Sequence, residues 1–137
     1  MSQHRLVLRA TPADIDDLGH VSNLVYVRWV LEVATAHSVA VGFDHPEYRA
    51  LGACFVVRRH EIDYVAPIFE GDEVELFTWV ESLRGASSER RTEIRVGDKV
   101  AARGKTLWAW IDLATGRPRR IPEEVLAAFG PVTSSPA

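Results

Sequence analysis

A short polar segment carries the residues best suited to chemistry, and it lies directly before a long apolar stretch. It contains three carboxylates, Asp14, Asp16 and Asp17, and it ends near Asn23, seven residues after Asp16. The first amides of a helix lack internal acceptors and lie at the positive end of its dipole. They can polarise a carbonyl oxygen, as in an oxyanion hole. A carboxylate beside them could act as a general base on water or as a direct nucleophile.

The same carboxylates also have a structural interpretation. Acidic side chains near a helix N-terminus complement the helix dipole and make hydrogen bonds within turns. Composition alone favours this structural role, so the choice between the two depends on the wider pattern of residues.

The element that must position this segment is a helix from residue 24 to about residue 41, roughly 27 Å long. Apolar residues cover most of its circumference, and Arg28, Glu32 and Thr35 form one narrow polar stripe. Such a helix is buried on most sides, and in a small protein a sheet that curls around it would bury it well. A second, short helix is expected to begin at His45, with Pro46 near its first position.

The rest of the chain alternates with the period of two that is typical of strands. Gly97-Asp98 is a candidate two-residue hairpin. Strands are expected at 5–11, 55–65, 73–81, 88–96 and 100–112, and a short helix at 122–129. This order predicts an α+β fold, with one antiparallel sheet of about five strands wrapped around one long helix.

Length and composition indicate a single domain. The chain has 137 residues, of which 47% are hydrophobic and 26% charged, as in an ordinary globular protein. The domain is expected over 1–131, and the Ser- and Pro-containing residues 132–137 are expected to form a frayed tail. A net charge of −3 argues against a protein that binds duplex nucleic acid.

Cysteine and histidine usage bounds the chemistry further. Cys54 is the sole cysteine, which excludes an internal disulfide and a cysteine-rich zinc site. The histidines show no metal-ligand spacing, so neither a metal nor a cofactor is expected. With no signal peptide and no apolar run of about 18 residues, we expect a cytoplasmic protein with no membrane span.

The segment from Asp16 to Tyr26 resembles a signature of the hot-dog-fold acyl-CoA thioesterases, the 4-hydroxybenzoyl-CoA thioesterase-like superfamily. The family pattern is Asp-x-x-Gly-His-Val-x-Asn-x-x-Tyr, at the start of the central helix, and this chain matches it throughout. Weaker matches follow in family order at 64–67, 71–74 and 111–118, so the resemblance extends over residues 5–122. It implies the hot-dog fold.

By position, the resemblance implies that Asp16 is the catalytic carboxylate and that the Asn23 amide donates to the thioester oxygen. One branch of the superfamily has a His where this chain has Asn23. His20 instead lies four residues after Asp16, as in branches with a His-Val-Asn-Asn motif, although Ser22 replaces the first Asn. His20 therefore either contacts substrate or water, or braces the loop. Tyr26 either lines the pocket or belongs to the core.

Coenzyme A carries phosphates, so basic residues are expected near the mouth of the site. The turn around Gly85 resembles the turn with which related thioesterases help to hold the nucleotide. Any one of these arginines could instead pair with a nearby Glu on a solvated strand. The candidate substrate-binding residues, besides Tyr26, are Arg58, Arg59, Arg84, Gly85, Ser87 and Arg90.

The resemblance implies an enzyme that hydrolyses an acyl-CoA, or an acyl-carrier-protein, thioester to free acid and thiol, with Asp16 as general base or nucleophile. Two alternatives stay open: a hot-dog enoyl-CoA hydratase-type enzyme, and a non-catalytic acyl-CoA-binding protein. Family members pair as dimers and often as tetramers, and an open edge strand favours pairing as well. A homodimer or homotetramer is therefore expected.

Overall fold

The computed structural model describes residues 2–130. The predicted α+β architecture is confirmed, whereas the expected tail at 132–137 lies outside the described residues. A short 3-10 turn, Pro12–Asp14, follows the first strand and was not expected. The elements are β1 (Gln3–Arg9), α1 (Asn23–Ala40), α2 (His45–Leu51), β2 (Ala53–Tyr64), β3 (Glu73–Arg84), β4 (Ser87–Val96), β5 (Lys99–Asp112) and α3 (Glu123–Phe129).

The five strands form one antiparallel sheet with the order β1-β3-β4-β5-β2. β4 and β5 are joined by the two-residue hairpin predicted at Gly97-Asp98, and Gly97 has a φ of 59°. A residue with a side chain is strained at that φ, so the turn requires glycine. β1 and β2 are the two edges of the sheet. Register shifts leave one extra residue in each of β2, β3 and β5 and mark bulges, which bend strands and increase their twist.

One face of the sheet packs against α1. Trp29, Val30 and Val33 of the helix are at most 1% exposed and belong to the same apolar cluster as Leu76 and Ile94. Burial of such side chains contributes about 1.5–3 kcal/mol each relative to exposure. The helix and the sheet therefore stabilise each other, as the apolar pattern of the helix predicted.

The side of α1 that faces away from the sheet is only partly apolar. The predicted polar stripe of Arg28, Glu32 and Thr35 is exposed. Leu24 is 80% exposed and Val39 is 47% exposed, so a single chain covers less of the helix than its composition predicted. Among residues 2–130, no single helix is long and apolar enough to cross a membrane; α1 and α2 meet that criterion only as a pair, across a bend of 71°.

A second apolar cluster lies at the C-terminal end of α1. Phe129 of α3 and Trp110 of β5 are its largest buried side chains, and Val80 and Val125 pack with them. The cluster fixes α3 against the sheet and leaves the opposite end of the molecule, near the start of α1, to the polar segment.

Candidate active site

The polar segment before α1 folds into a compact loop whose base is tied to the rest of the protein. Ile15 and Val21 form an isolated antiparallel bridge, and the Asp16 amide donates to the His20 carbonyl over 3.0 Å. The Val21 amide donates to the Ile68 carbonyl over 2.8 Å, which joins the loop to the segment before β3. These bonds place residues 16–20 in a small protruding turn.

Asp14 holds the base of this loop and is 5% exposed. Its Oδ2 accepts hydrogen bonds from the Thr11 amide and hydroxyl, and its Oδ1 accepts from Arg28 Nη2 over 2.7 Å. Burial alone would raise the pKa of Asp14, but the hydrogen bonds from Thr11 and Arg28 lower the pKa below its usual value. The structural role that the sequence allowed for these carboxylates is therefore carried by Asp14.

Asp16 is half-buried and has a different environment. Its Oδ1 accepts a hydrogen bond from the Leu18 amide over 2.9 Å, which closes the turn. Within residues 2–130, Oδ2 accepts no hydrogen bond. One carboxylate oxygen thus fixes the orientation of the side chain, and the other is available to a water molecule or to an electrophilic carbon.

Asn23 is the first residue of α1. Ser22 caps the helix, because its Oγ accepts from the Leu24 amide over 3.2 Å and its carbonyl accepts from the Val25 amide over 2.9 Å. The Asn23 amide lies between these two and has no acceptor in the described part of the chain. A free donor at the positive end of a helix is suited to hold a carbonyl oxygen that gains negative charge.

His20 is half-buried in the same loop, where its Nδ1 lies 3.3 Å from the Val21 carbonyl. Because a carbonyl only accepts, Nδ1 is the donor in this contact. The observed contact is a brace within the loop. A contact between His20 and substrate stays a prediction.

Tyr26 is 3% exposed and packs edge-to-face against Trp29 and Tyr64, with ring centroids 5.7 and 5.1 Å apart. Burial raises the pKa of Tyr26. Its position favours the core interpretation over a pocket-lining one. Tyr64 was not among the site residues predicted from the sequence. Its hydroxyl donates to the Asn23 carbonyl over 3.4 Å. The family-like segment at 64–67 was the available signal.

The predicted phosphate-binding residues lie at two places in the fold. Arg58 is exposed, and Arg59 pairs with Glu61 over 2.6 Å. Arg84, Gly85 and Ser87 lie at the turn from β3 to β4. Glu73, at the other end of β3, lies near the base of the loop, and the length of β3 separates it from Arg84 by roughly 36 Å. One chain therefore does not bring this turn together with Asp16 and Asn23.

Arg90 is placed differently from the expectation. It neither lies at the mouth of the Asp16 site nor pairs with a Glu; it is 6% exposed and faces the interior at the C-terminal end of α1. Alternation along β4 put Arg90 on the same face as Ile94, and that face is the one that α1 covers. Within the described residues, no group of three or more His, Cys, Asp or Glu side chains could hold a metal ion.

Comparison with known proteins identifies similar chains. A family model described as the thioesterase-like superfamily matches residues 10–129. No curated protein matches the chain in sequence. Among solved structures, a probable thioesterase from Bartonella henselae is 26% identical, with a TM-score of 0.80 and coverage of 88% of this chain and 100% of the other.

Two further structures are similar over most of their length. A thioesterase from Thermus thermophilus, complexed with coenzyme A and Zn, is 26% identical, with a TM-score of 0.80 and coverage of 91% of this chain and 90% of the other. A DHNA-CoA thioesterase from Staphylococcus aureus is 24% identical, with a TM-score of 0.79 and coverage of 88% and 81%. The last of these shows a shared fold.

Proposed function

The chain belongs to the thioesterase-like superfamily, and we propose that it hydrolyses an acyl-CoA thioester with Asp16 as the carboxylate that drives the reaction. The observation that carries the proposal is a pair of complementary groups at one junction of loop and helix. Asp16 presents an oxygen with no hydrogen-bond partner among residues 2–130, and Asn23 presents an amide with no acceptor among them. Hydrolysis of a thioester uses both groups: a carboxylate oxygen that activates water or attacks C1, and a donor that binds the carbonyl oxygen.

In the proposed reaction, the thioester carbonyl oxygen accepts a hydrogen bond from the Asn23 amide. Asp16 then removes a proton from water as the water oxygen attacks C1, or Asp16 itself attacks C1 and water opens the resulting anhydride. In both routes the C–S bond breaks, and the thiolate leaves and takes up a proton. A thiolate is a good leaving group, so the reaction does not require a strong acid, and His20 can remain a brace.

A single turnover in ¹⁸O-water tests for the route in which water opens the anhydride at the carboxyl carbon of Asp16. In that route the first molecule of acid formed contains an unlabelled oxygen from Asp16, and ¹⁸O enters the Asp16 carboxylate. If water attacks C1, as it does when Asp16 acts as a base, the acid already contains ¹⁸O in the first turnover and Asp16 stays unlabelled.

The proposal that the substrate contains CoA is supported by the similar thioesterase from Thermus thermophilus, whose structure is a complex with coenzyme A and Zn. Because the Arg84 turn lies far from Asp16 within one chain, its proposed contact with the nucleotide requires the turn of a second copy. The edge strand β2, 12 residues long, offers one surface for pairing. We therefore infer a homodimer or homotetramer in which the Arg84 turn of one copy serves the Asp16 site of another.

The function is tested with short, long and aromatic acyl-CoA esters and an acyl-carrier-protein thioester. Hydrolysis is followed by the loss of thioester ultraviolet absorbance, because Cys54 would react with thiol reagents. Loss of the double bond of an enoyl-CoA without thiol release would identify a hydratase instead. Tight binding of acyl-CoA without either reaction would identify a binding protein.

The role of Asp16 is tested by Asp16→Asn, with Asp17→Asn as the matched control. Asn keeps the oxygen that accepts from the Leu18 amide, so the loop should retain its conformation. We expect kcat to fall by about 10²–10⁴-fold for Asp16→Asn, and to be nearly unchanged for the exposed Asp17. A loss below about tenfold in Asp16→Asn would remove Asp16 from the reaction.

A further inference from the structure

The segment that begins at the end of β2 contacts the start of α1 at three places. Two residues before Asn23, the Val21 amide donates to the Ile68 carbonyl over 2.8 Å. Three residues after Asn23, the Tyr26 hydroxyl makes a hydrogen bond with the Ile68 backbone. At Asn23 itself, the carbonyl accepts a hydrogen bond from the Tyr64 hydroxyl over 3.4 Å. These contacts lie on both sides of the amide that the proposed reaction uses.

This segment is itself fixed to the sheet. Tyr64 is the last residue of β2. The next two amides, of Val65 and Ala66, both donate to the Ala101 carbonyl of β5, over 2.8 and 3.0 Å. Ile68 is 0% exposed and belongs to the apolar cluster between α1 and the sheet. Groups held by regular elements and a packed core are positioned more precisely than groups on free loops, so Tyr64 has a rigid support.

Core packing does not account for the hydroxyl of Tyr64. The ring packs edge-to-face against Tyr26, with centroids 5.1 Å apart, and this contact fixes the direction of the phenol. The residue as a whole is nevertheless 46% exposed. Within the part of the chain that the structure describes, the Asn23 carbonyl is the one hydrogen-bond partner of the hydroxyl. A packed ring thus directs an exposed hydroxyl at the first residue of α1.

The bond from Tyr64 completes the support of the first peptide units of α1. The unit between Ser22 and Asn23 is held through its carbonyl, which accepts from the Val25 amide over 2.9 Å. The next unit is held at both ends. Its amide, of Leu24, donates to Ser22 Oγ over 3.2 Å, and its carbonyl accepts from Tyr64. Helix ends fray, whereas a donor that stabilises an oxyanion must stay within about 2.7–3.1 Å of it.

We propose that Tyr64 is a positioning residue of the thioester site, and that its hydroxyl keeps the Asn23 amide aligned with the carbonyl oxygen of the substrate. This inference rests on the proposed function, because it assigns Tyr64 a part in that reaction. Tyr64 acts through Asn23 and not on the reacting atoms. The alignment matters most when the carbonyl oxygen becomes negative, so Tyr64 contributes to kcat rather than to KM.

The first test is Tyr64→Phe, which keeps the ring and removes the hydroxyl. We expect kcat for acyl-CoA hydrolysis to fall by about 3- to 10-fold, as for the loss of one hydrogen bond, with KM nearly unchanged. Ile62→Val is the matched control, because Ile62 lies on the same face of β2 as Tyr64 and packs against the core; it should leave kcat nearly unchanged. An unchanged kcat in Tyr64→Phe would overturn the proposal, as would an equal loss in Ile62→Val.

A double-mutant cycle tests whether the effect passes through the amide. Asn23→Pro removes the amide donor, so the Tyr64 hydroxyl no longer has a donor to align. Tyr64→Phe should therefore have little effect on kcat when it is added to Asn23→Pro. If Tyr64→Phe lowers kcat by the same factor in both backgrounds, Tyr64 acts independently of Asn23 and the proposal is wrong.

An NMR measurement separates failure of this inference from failure of the proposed function. The order parameter of the Asn23 amide should be about 0.85 in the unmodified chain, as in a rigid backbone, and lower in Tyr64→Phe. The value for Val33, in the middle of α1, should be the same in both proteins. If the chain hydrolyses no thioester, the proposed function is wrong, and this comparison still decides whether Tyr64 orders the Asn23 amide. Equal order parameters for Asn23 in the two proteins would overturn the inference.

Discussion

Arg28 donates a hydrogen bond from Nη2 to Asp14 Oδ1 over 2.7 Å, and this contact joins α1 to the loop that precedes it. Asp14 is two residues before Asp16, and Arg28 is five residues after Asn23. The ion pair thus connects the segment that carries the proposed catalytic carboxylate to the helix that supplies the proposed oxyanion donor.

Replacing Asp14 with Ala should destabilise the fold by about 2–3 kcal/mol, because Thr11 and Arg28 lose a buried charged acceptor. Urea unfolding measures this value. Since the folded pKa of Asp14 is lowered, its contribution is complete above its usual pKa of 3.8 and is lost as pH falls through the folded value. Glu32→Ala, which removes only the exposed pair with Arg28, should cost at most about 0.5 kcal/mol; similar losses in both variants would contradict the role of Asp14.

Asn23→Pro removes the amide donor with little effect on the helix. Proline is favoured at the first helical position, and the preceding Ser22 already has the extended conformation, φ −64° and ψ 143°, that proline requires of it. We expect kcat to fall by about 10²–10³-fold, as for loss of an oxyanion donor. Asn23→Ala lacks the same side chain but keeps the amide, so it isolates the backbone group. Equal rates for the two variants would exclude the Asn23 amide from the reaction.

His37 should make stability depend on pH. Its folded pKa is about 3 and its usual value 6.5, so between these values the unfolded chain binds a proton that the folded chain does not. Stability therefore decreases as pH falls below 6.5, by up to about 1.4 kcal/mol per pH unit. His37→Gln keeps an acceptor for Arg90 but does not titrate. Unfolding free energies of both proteins at pH 7, 6 and 5 should diverge, and parallel curves would show that folding does not lower the pKa of His37.

Arg84→Ala should raise the KM for acyl-CoA by about 3- to 10-fold and leave kcat nearly unchanged, since a contact with the nucleotide acts equally on substrate and transition state. The effect should decrease as salt is added. Arg103→Ala changes the net charge equally from an exposed position on β5 and serves as the control. A KM that does not respond to Arg84 would reject the phosphate contact.

Local sequence patterns were sufficient for the α-helices and strands of this fold, although not for the 3-10 turn Pro12–Asp14. The apolar periodicity of α1 placed the helix within one residue at each end, and the alternation around Gly97-Asp98 placed the β4–β5 hairpin. These features depend on neighbouring residues, which a sequence displays directly. These patterns could not predict that Asp14 has the structural role while Asp16 keeps an unpaired oxygen among residues 2–130. That difference depends on Arg28, one turn inside the helix, and on the Ile68 carbonyl.

Arg90 shows a second limit of sequence patterns. Alternation assigns a residue to one face of a strand, but it does not say which charged side chain will be covered by the helix and left without an acid. His37 was likewise one histidine among five until the fold placed it beside Arg90. Both positions depend on contacts between residues 53 positions apart.

The loop before α1 is fastened at its base, by Asp14, by the Ile15–Val21 bridge and by the bond from Val21 to Ile68, whereas its tip is exposed. Leu18, at that tip, is 78% exposed. Changes at the tip thus carry little thermodynamic penalty, while changes at the base carry a large one. Substitutions at the tip can therefore change the surface that meets an approaching molecule without destabilising the base of the loop.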